Sequence, residues 1–98
     1  MLYIRLSIDK PNAKEIRDAA RMEHRAYARA SRDPGSPCSV VQAGPLCISD
    51  SDDFNIASFM ILEADSLEAA QAFHDNDPCT KAGLYQTTYI HRWDRHMS

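Results

Sequence analysis

The sequence predicts a single α+β domain of order β-α-β-β-α-β, and three observations carry that expectation. Residues 2–8, LYIRLSI, alternate apolar with other side chains at the period of two that marks a half-buried strand. Two segments, starting near residues 12 and 66, follow helix-start signals and are rich in helix formers. Two β-rich segments lie between those helices, and a third, rich in Thr and aromatics, closes the chain.

The first strand splits into two faces, Leu2, Ile4, Leu6 and Ile8 on one and Tyr3, Arg5 and Ser7 on the other. Asp9-Lys10-Pro11-Asn12 is turn chemistry with Asn12 as a helix cap, and the helix should run to about Ala30, where Asp33-Pro34-Gly35 stops it. Residues 38–48, CSVVQAGPLCI, read as a strand that ends in a fixed bend at Gly44-Pro45. Residues 49–55, SDSDDFN, read as a solvated loop. The next strand, 55–65, is apolar on both alternating sets: Ile56, Met60 and Leu62 on one side, Ala57, Phe59 and Ile61 on the other. Asp65 or Ser66 caps the second helix, Asp77-Pro78 opens a short helical turn, and residues 84–93 form the last strand.

This order is the ferredoxin-like split unit, a four-stranded antiparallel sheet with helices on one face. Two helices leave the other face open, yet the third strand asks for cover on both sides. A homodimer with its two sheets face to face is the economical answer.

At 98 residues, 44% hydrophobic and 26% charged, the composition suits one small globular domain spanning 1–98. Such a chain buries only about two thirds of its unfolded surface, a further reason to expect association. A net charge of -3 with dispersed basic residues argues against nucleic-acid binding. The N-terminus lacks the pattern of a signal peptide and no apolar run suits a membrane span, so a cytoplasmic protein without membrane association is expected. Cys38, Cys47 and Cys79 are odd in number and form no C-x-x-C pair, and the four histidines lack a metal-ligand spacing. Reduced thiols, no metal and no cofactor are therefore expected.

On a helical wheel Ile16, Ala20, Tyr27 and Ala30 form an apolar stripe, with Glu23 near its middle and His24 on its flank beside Arg17 and Arg21. An imidazole at the edge of a core is either a packing or surface residue or a proton carrier with a tunable pKa, and geometry alone leaves both open. Asp77 is a cap for the short helical turn, and a capping carboxylate can also orient an imidazole. Gly44-Pro45 is either a plain bend or a place where a ligand nears the backbone. Tyr3, Arg5 and Ser7 line either a polar site or a dimer seam.

Read together, R-x-x-H (Arg21 to His24), A-G-P-L (Ala43 to Leu46), D-S-L-E-A-A (Asp65 to Ala70) and D-P-x-x-x-A-G-L (Asp77 to Leu84) resemble the YciI-like (YCII-related) family of small dimeric α+β barrel proteins. The resemblance covers nearly the whole chain. It implies that His24 and Asp77 are the family's histidine-aspartate pair, in a pocket between helix and sheet with Arg21 and Gly44-Pro45 nearby. The family's clearest chemistry is dehydrochlorination of a chlorinated hydroxyhydroquinone, and related barrels include muconolactone isomerases. Two features depart from the usual pattern: Cys79 stands where an aromatic commonly follows Asp-Pro, and the helix-to-strand connection is RDPGSPCS.

The expected activity is thus a cofactor-independent lyase or isomerase acting on a polyhydroxylated aromatic ring, foremost a dehydrochlorinase that removes HCl from a chlorinated hydroxyhydroquinone to give a hydroxyquinone. His24 would be its general acid/base, Asp77 the orienter, and Arg21 or Ser7 the stabiliser of phenolate or enolate charge. A binding or accessory module without turnover is the alternative, and a purely structural dimer with an incidental pocket is a third.

Overall fold

The strand β1 (Leu2–Asp9) is the spine of the sheet in the computed structural model, which describes residues 1–98. It pairs antiparallel on one side with β3 (Asp52–Ala64) and on the other with β4 (Tyr85–Arg92), while β2 (Cys38–Ser49) lies outside β3. The strand order is β2-β3-β1-β4. The helices are α1 (Lys14–Ala30), α2 (Leu67–Asp75) and the single turn α3 (Pro78–Lys81). This is the expected four-stranded α+β architecture, with the short turn after Asp77-Pro78 in place.

Cross-strand partners share a face, so the register sorts the sheet. Tyr3 pairs with Leu62, Arg5 with Met60 and Ser7 with Ser58, and all six are buried beneath the helices. Around Tyr3, Val40, Met60 and Leu62 the core gathers Ala70 and Phe73 of α2 and the half-buried Tyr27 of α1. The Tyr27 ring stacks on Phe73 at 4.7 Å and its hydroxyl donates to the Phe73 carbonyl at 2.8 Å, which ties α1 to α2. A smaller cluster of Ala13, Ala20, Cys79 and Leu84 joins α1 to α3.

The opposite face carries the apolar set of β1. Ile4 pairs with Ile61, Leu6 with Phe59 and Ile8 with Ala57; Ile61 and Ala57 are buried within this face, Ile4, Leu6 and Phe59 are partly exposed and Ile8 is exposed, and the residues that pack on the helices lie on the other face. The helices therefore sit on the polar side of β1, and Tyr3, Arg5 and Ser7 point inward.

Several local expectations are corrected. Gly44-Pro45 does not end β2, which continues to Ser49; β2 is an edge strand, where a proline deprives no neighbour of a hydrogen bond. The acidic loop shrinks accordingly, because Ser49 pairs with Asp52 and residues 52–54 already belong to β3. Asn12 is not the cap of α1: it adopts φ 57 in the preceding turn, and Ala13 takes the cap position without a side-chain bond. The helix α1 is also rotated from its expected stripe. Ile16, Glu23 and Ala30 are exposed, while Ala20, His24 and Tyr27 turn inward. The bidentate pair of Arg17 with Asp9, at 2.7 Å for both bonds, and the Tyr27 contact to α2 fix this rotation. Of the two caps the sequence offers for α2, Ser66 is the one used, as expected, accepting from the Ala69 N–H.

Candidate active site

Asp77 holds the site together. Its β-region backbone lets the side chain fold back as the cap of α3, accepting the Cys79 N–H at 2.9 Å through Oδ1. The same oxygen lies 2.7 Å from His24 Nδ1, and Oδ2 accepts from Arg5 Nη1 at 2.8 Å. The Asp77 and Arg5 side chains are fully buried, whereas His24 retains 16% of its side-chain exposure. Arg5 is held in turn by Ser58 Oγ at 2.8 Å, and its guanidinium lies 5.3 Å from the centre of the Tyr85 ring. Helix α1 thus presents an imidazole to a carboxylate that a turn of α3 orients and a strand guanidinium supports from behind.

The electrostatics follow from this packing. Burial alone would lower the His24 pKa, but the hydrogen bond and charge of Asp77, with Cys79 alongside, outweigh it and raise it to about 9. Burial would raise Asp77, yet its bonds to His24 and to the Cys79 N–H, together with the Arg5 charge, bring it below the usual carboxylate range. At neutral pH the row is cation, anion, cation. Because an ionised carboxylate only accepts, Nδ1 of His24 carries the donated proton and Nε2 makes no hydrogen bond to the protein. His74 also lies beside Arg5, with Nδ1 3.5 Å from the same Nη1 that binds Asp77; burial and the Arg5 charge keep its pKa below the ordinary histidine value.

His24 opens onto a cavity of about 400 Å³ between α1 and the β2-β3 side of the sheet. Arg21, Gly44, Pro45, Ser58 and Cys79 share its wall. Arg21 reaches it while paired with Asp18 at 2.8 Å. Among the residues expected in the site, Ser7 lies elsewhere: it is fully buried, bonded to Thr88 Oγ1 at 2.9 Å, and absent from the cavity wall. The helix-facing side of β1 meets the site at Arg5, through Asp77, and the wall opposite Ser7 is taken by its cross-strand partner Ser58.

Donor atoms of His24, Asp77 and Cys79 lie within 4.8 Å of one another, a set that a metal could use. The Arg5 cation 2.8 Å from Asp77 opposes a dication there, and Asp77 Oδ1 is already shared by two donors. The arrangement is better suited to holding and moving a proton.

The sequence alone left the roles of four residues unassigned. Arg5 was legible only as one member of the polar face of β1; that it neutralises Asp77 depends on contacts 72 residues apart. Arg25 and Arg29, which also line the cavity, extend the series Arg17, Arg21 at every fourth position, and that spacing was the available signal. Cys79 enters through its backbone cap and its place in the wall.

Known proteins are similar to this chain in sequence and in fold. The YCII-related domain family matches residues 1–94. Protein YciI from Escherichia coli O6:H1 is 39% identical over 90 residues, which cover 88% of this chain and 89% of that protein, and Protein YciI from Shigella flexneri matches equally. Among solved structures, 5-chloro-2-hydroxyhydroquinone dehydrochlorinase (TftG) from Burkholderia phenoliruptrix AC1100, in complex with 2,5-dihydroxybenzoquinone, superposes with a TM-score of 0.82 at 31% identity, covering 96% of this chain and 94% of the other. The crystal structure of PA3566 from Pseudomonas aeruginosa shares the fold with a TM-score of 0.55 at 17% identity, covering 98% and 93%. With its fold, its four ordered motifs and these matches in agreement, the chain belongs to the YCII-related domain family.

Proposed function

We propose that the protein is a cofactor-independent lyase that removes HCl from a chlorinated hydroxyhydroquinone, with His24 as proton carrier. The observation that carries this reading is the likeness, along almost the whole chain, to a dehydrochlorinase solved with a dihydroxybenzoquinone. The His24-Asp77-Arg5 row facing a cavity supports it.

A raised pKa makes His24 an acid first and a base second. The substrate enters as a phenolate, and imidazolium Nε2 gives its proton to the chlorine-bearing ring carbon, forming the keto tautomer. The neutral imidazole then takes the proton of a second ring hydroxyl as the carbon-chlorine bond breaks. Chloride leaves with the bonding pair, the ring becomes a hydroxyquinone, and His24 is again an imidazolium. No electron enters from outside. Asp77 keeps the ring in the tautomer that exposes Nε2 to substrate and stabilises the imidazolium, while Arg5 keeps Asp77 ionised. Arg21 at the wall offsets phenolate charge.

The same reading makes the protein a homodimer, with the apolar face of Ile4, Leu6, Phe59 and Ile61 covered by a second copy. It acts in the cytoplasm, where its three free cysteines stay reduced; none of its helices is long and apolar enough to cross a membrane.

Chloride release and quinone absorbance, followed anaerobically with 5-chloro-2-hydroxyhydroquinone, test the activity. The expected result is turnover that falls by about 10²–10⁴ in His24→Ala. Wild-type release no faster than buffer overturns the lyase, and quinone binding without turnover would leave a binding module.

A further inference from the structure

We propose that Arg25 and Arg29 form a carboxylate subsite in the His24 cavity, so that among hydroxylated aromatic rings the site favours one that also carries a carboxylate. The inference rests on the proton-transfer reading of His24 and adds the substituent that the pocket selects.

Five of the chain's eleven Lys and Arg residues line this one cavity, at positions 17, 21, 25, 29 and 32, and no acidic side chain does. In a protein of net charge -3 this is a marked local excess. Two of the five are neutralised, Arg17 by Asp9 and Arg21 by Asp18. Arg32 directs its donors to the carbonyls of Val40 and Val41, which satisfies its hydrogen bonds and leaves its charge. The side chains of Arg25 and Arg29 make no hydrogen bond or ion pair within the chain. Their positive charge faces a concave site, where low-dielectric walls focus the field on an incoming anion.

The spacing sets where that anion sits. Four residues along a helix bring side chains to one flank about 5–6 Å apart. Arg25 follows His24 directly and Arg29 lies one turn beyond, so a group held by both stands about one turn from the imidazole. A carboxylate para to the reacting edge of an aromatic ring spans that separation. Planar guanidinium forks match the two oxygens of a carboxylate. Volume agrees: about 400 Å³ is well above the roughly 150 Å³ that accommodates an unsubstituted benzene ring.

Calorimetric titration at pH 7 with 3,4-dihydroxybenzoate and with its methyl ester, alongside ring ¹H–¹⁵N signals of His24, tests the subsite. The expected result is that both compounds shift the His24 signals and that the acid binds at least about tenfold more tightly than the ester, as charge-assisted hydrogen bonds imply. In the double variant Arg25→Gln/Arg29→Gln the two affinities should converge; both positions are exposed, and a melting curve checks the fold. Equal affinities in the wild type, with His24 responding, overturn the subsite and leave the aromatic reading of the cavity standing. A preference that survives in the double variant also overturns it, since the carboxylate then sits elsewhere. If neither compound binds, the subsite falls together with the aromatic reading.

Discussion

Arg5 Nη1 lies 2.8 Å from Asp77 Oδ2 with both side chains sealed from solvent. Removing one member of a buried pair strands the other charge in a low-dielectric interior. Arg5→Met should therefore cost about 3–5 kcal/mol, read as a lower denaturant midpoint at unchanged m-value. Methionine fills much of the same volume, so lost packing is a minor part of the effect. A loss below about 1 kcal/mol, the ordinary size of a point mutation, would show that His24 alone suffices to neutralise Asp77.

The Asp77 carboxylate is what holds the His24 pKa up against burial. In Asp77→Asn the amide oxygen can still accept from Nδ1, but the negative charge is gone, and burial should bring the ring from about 9 to its ordinary 6.5 or below. NMR titration of the His24 ring measures this directly. A pKa that stays near 9 would assign its elevation to Cys79 or another neighbour.

These perturbed groups give stability a pH dependence of definite sign. His24 is raised in the fold, so its contribution is full below 6.5 and is lost as pH rises through about 9. Asp77 is lowered, so its contribution is present above 3.8 and is lost as pH falls through its folded value. His74 is also lowered, which adds a loss as pH drops below 6.5. Between pH 6.5 and 9 the melting temperature should fall, reflecting on the order of 3 kcal/mol, because each tenfold change in proton affinity is worth about 1.4 kcal/mol. Measurements at one protein concentration remove the effect of association. In His24→Gln the slope across this window should flatten; an unchanged slope would place its origin in other groups.

The parts of the fold that were legible in the sequence are those set by local periodicity and capping. The alternation in β1, the cap at Ser66 and the Asp77-Pro78 turn each depend on a few adjacent residues, and each appears where the pattern places it. What misled was context. Gly44-Pro45 breaks a central strand but passes in an edge strand, and edge position is a property of the sheet order. The inward face of α1 was set by Arg17 on Asp9 and Tyr27 on Phe73, two contacts that hydropathy does not encode. In the site, family motifs pointed to His24 and Asp77, and the structure brings them to 2.7 Å. The role of Arg5 escaped because the sequence leaves this face of β1 as either a polar site or a dimer seam, and only the fold buries Arg5 against Asp77. Ser7 was expected in the site because it shares that face, but its cross-strand partner Ser58 on β3 takes the cavity wall, while Ser7 bonds to Thr88 on the β4 side.

The uncovered side of the sheet yields the last prediction. Leu6 sits at its middle, between Phe59 on β3 and Tyr89 on β4, and the neighbouring Ile8 and Tyr89 are 39% and 49% exposed. Contiguous apolar surface of this kind marks an interaction face. In a face-to-face dimer the wild type should sediment at twice the 11.0 kDa chain mass, and Leu6→Glu should drive it to the monomer, because the change places two symmetry-related carboxylates in a desolvated seam. The variant's far-UV spectrum should stay native, since the helices pack on the other face and do not contact Leu6. A wild type that sediments as a monomer across the micromolar range would sink the dimer. A dimeric Leu6→Glu would move the interface to another surface, where the β2-β3 hairpin, with Ile48 and Phe54 exposed, is the next apolar patch.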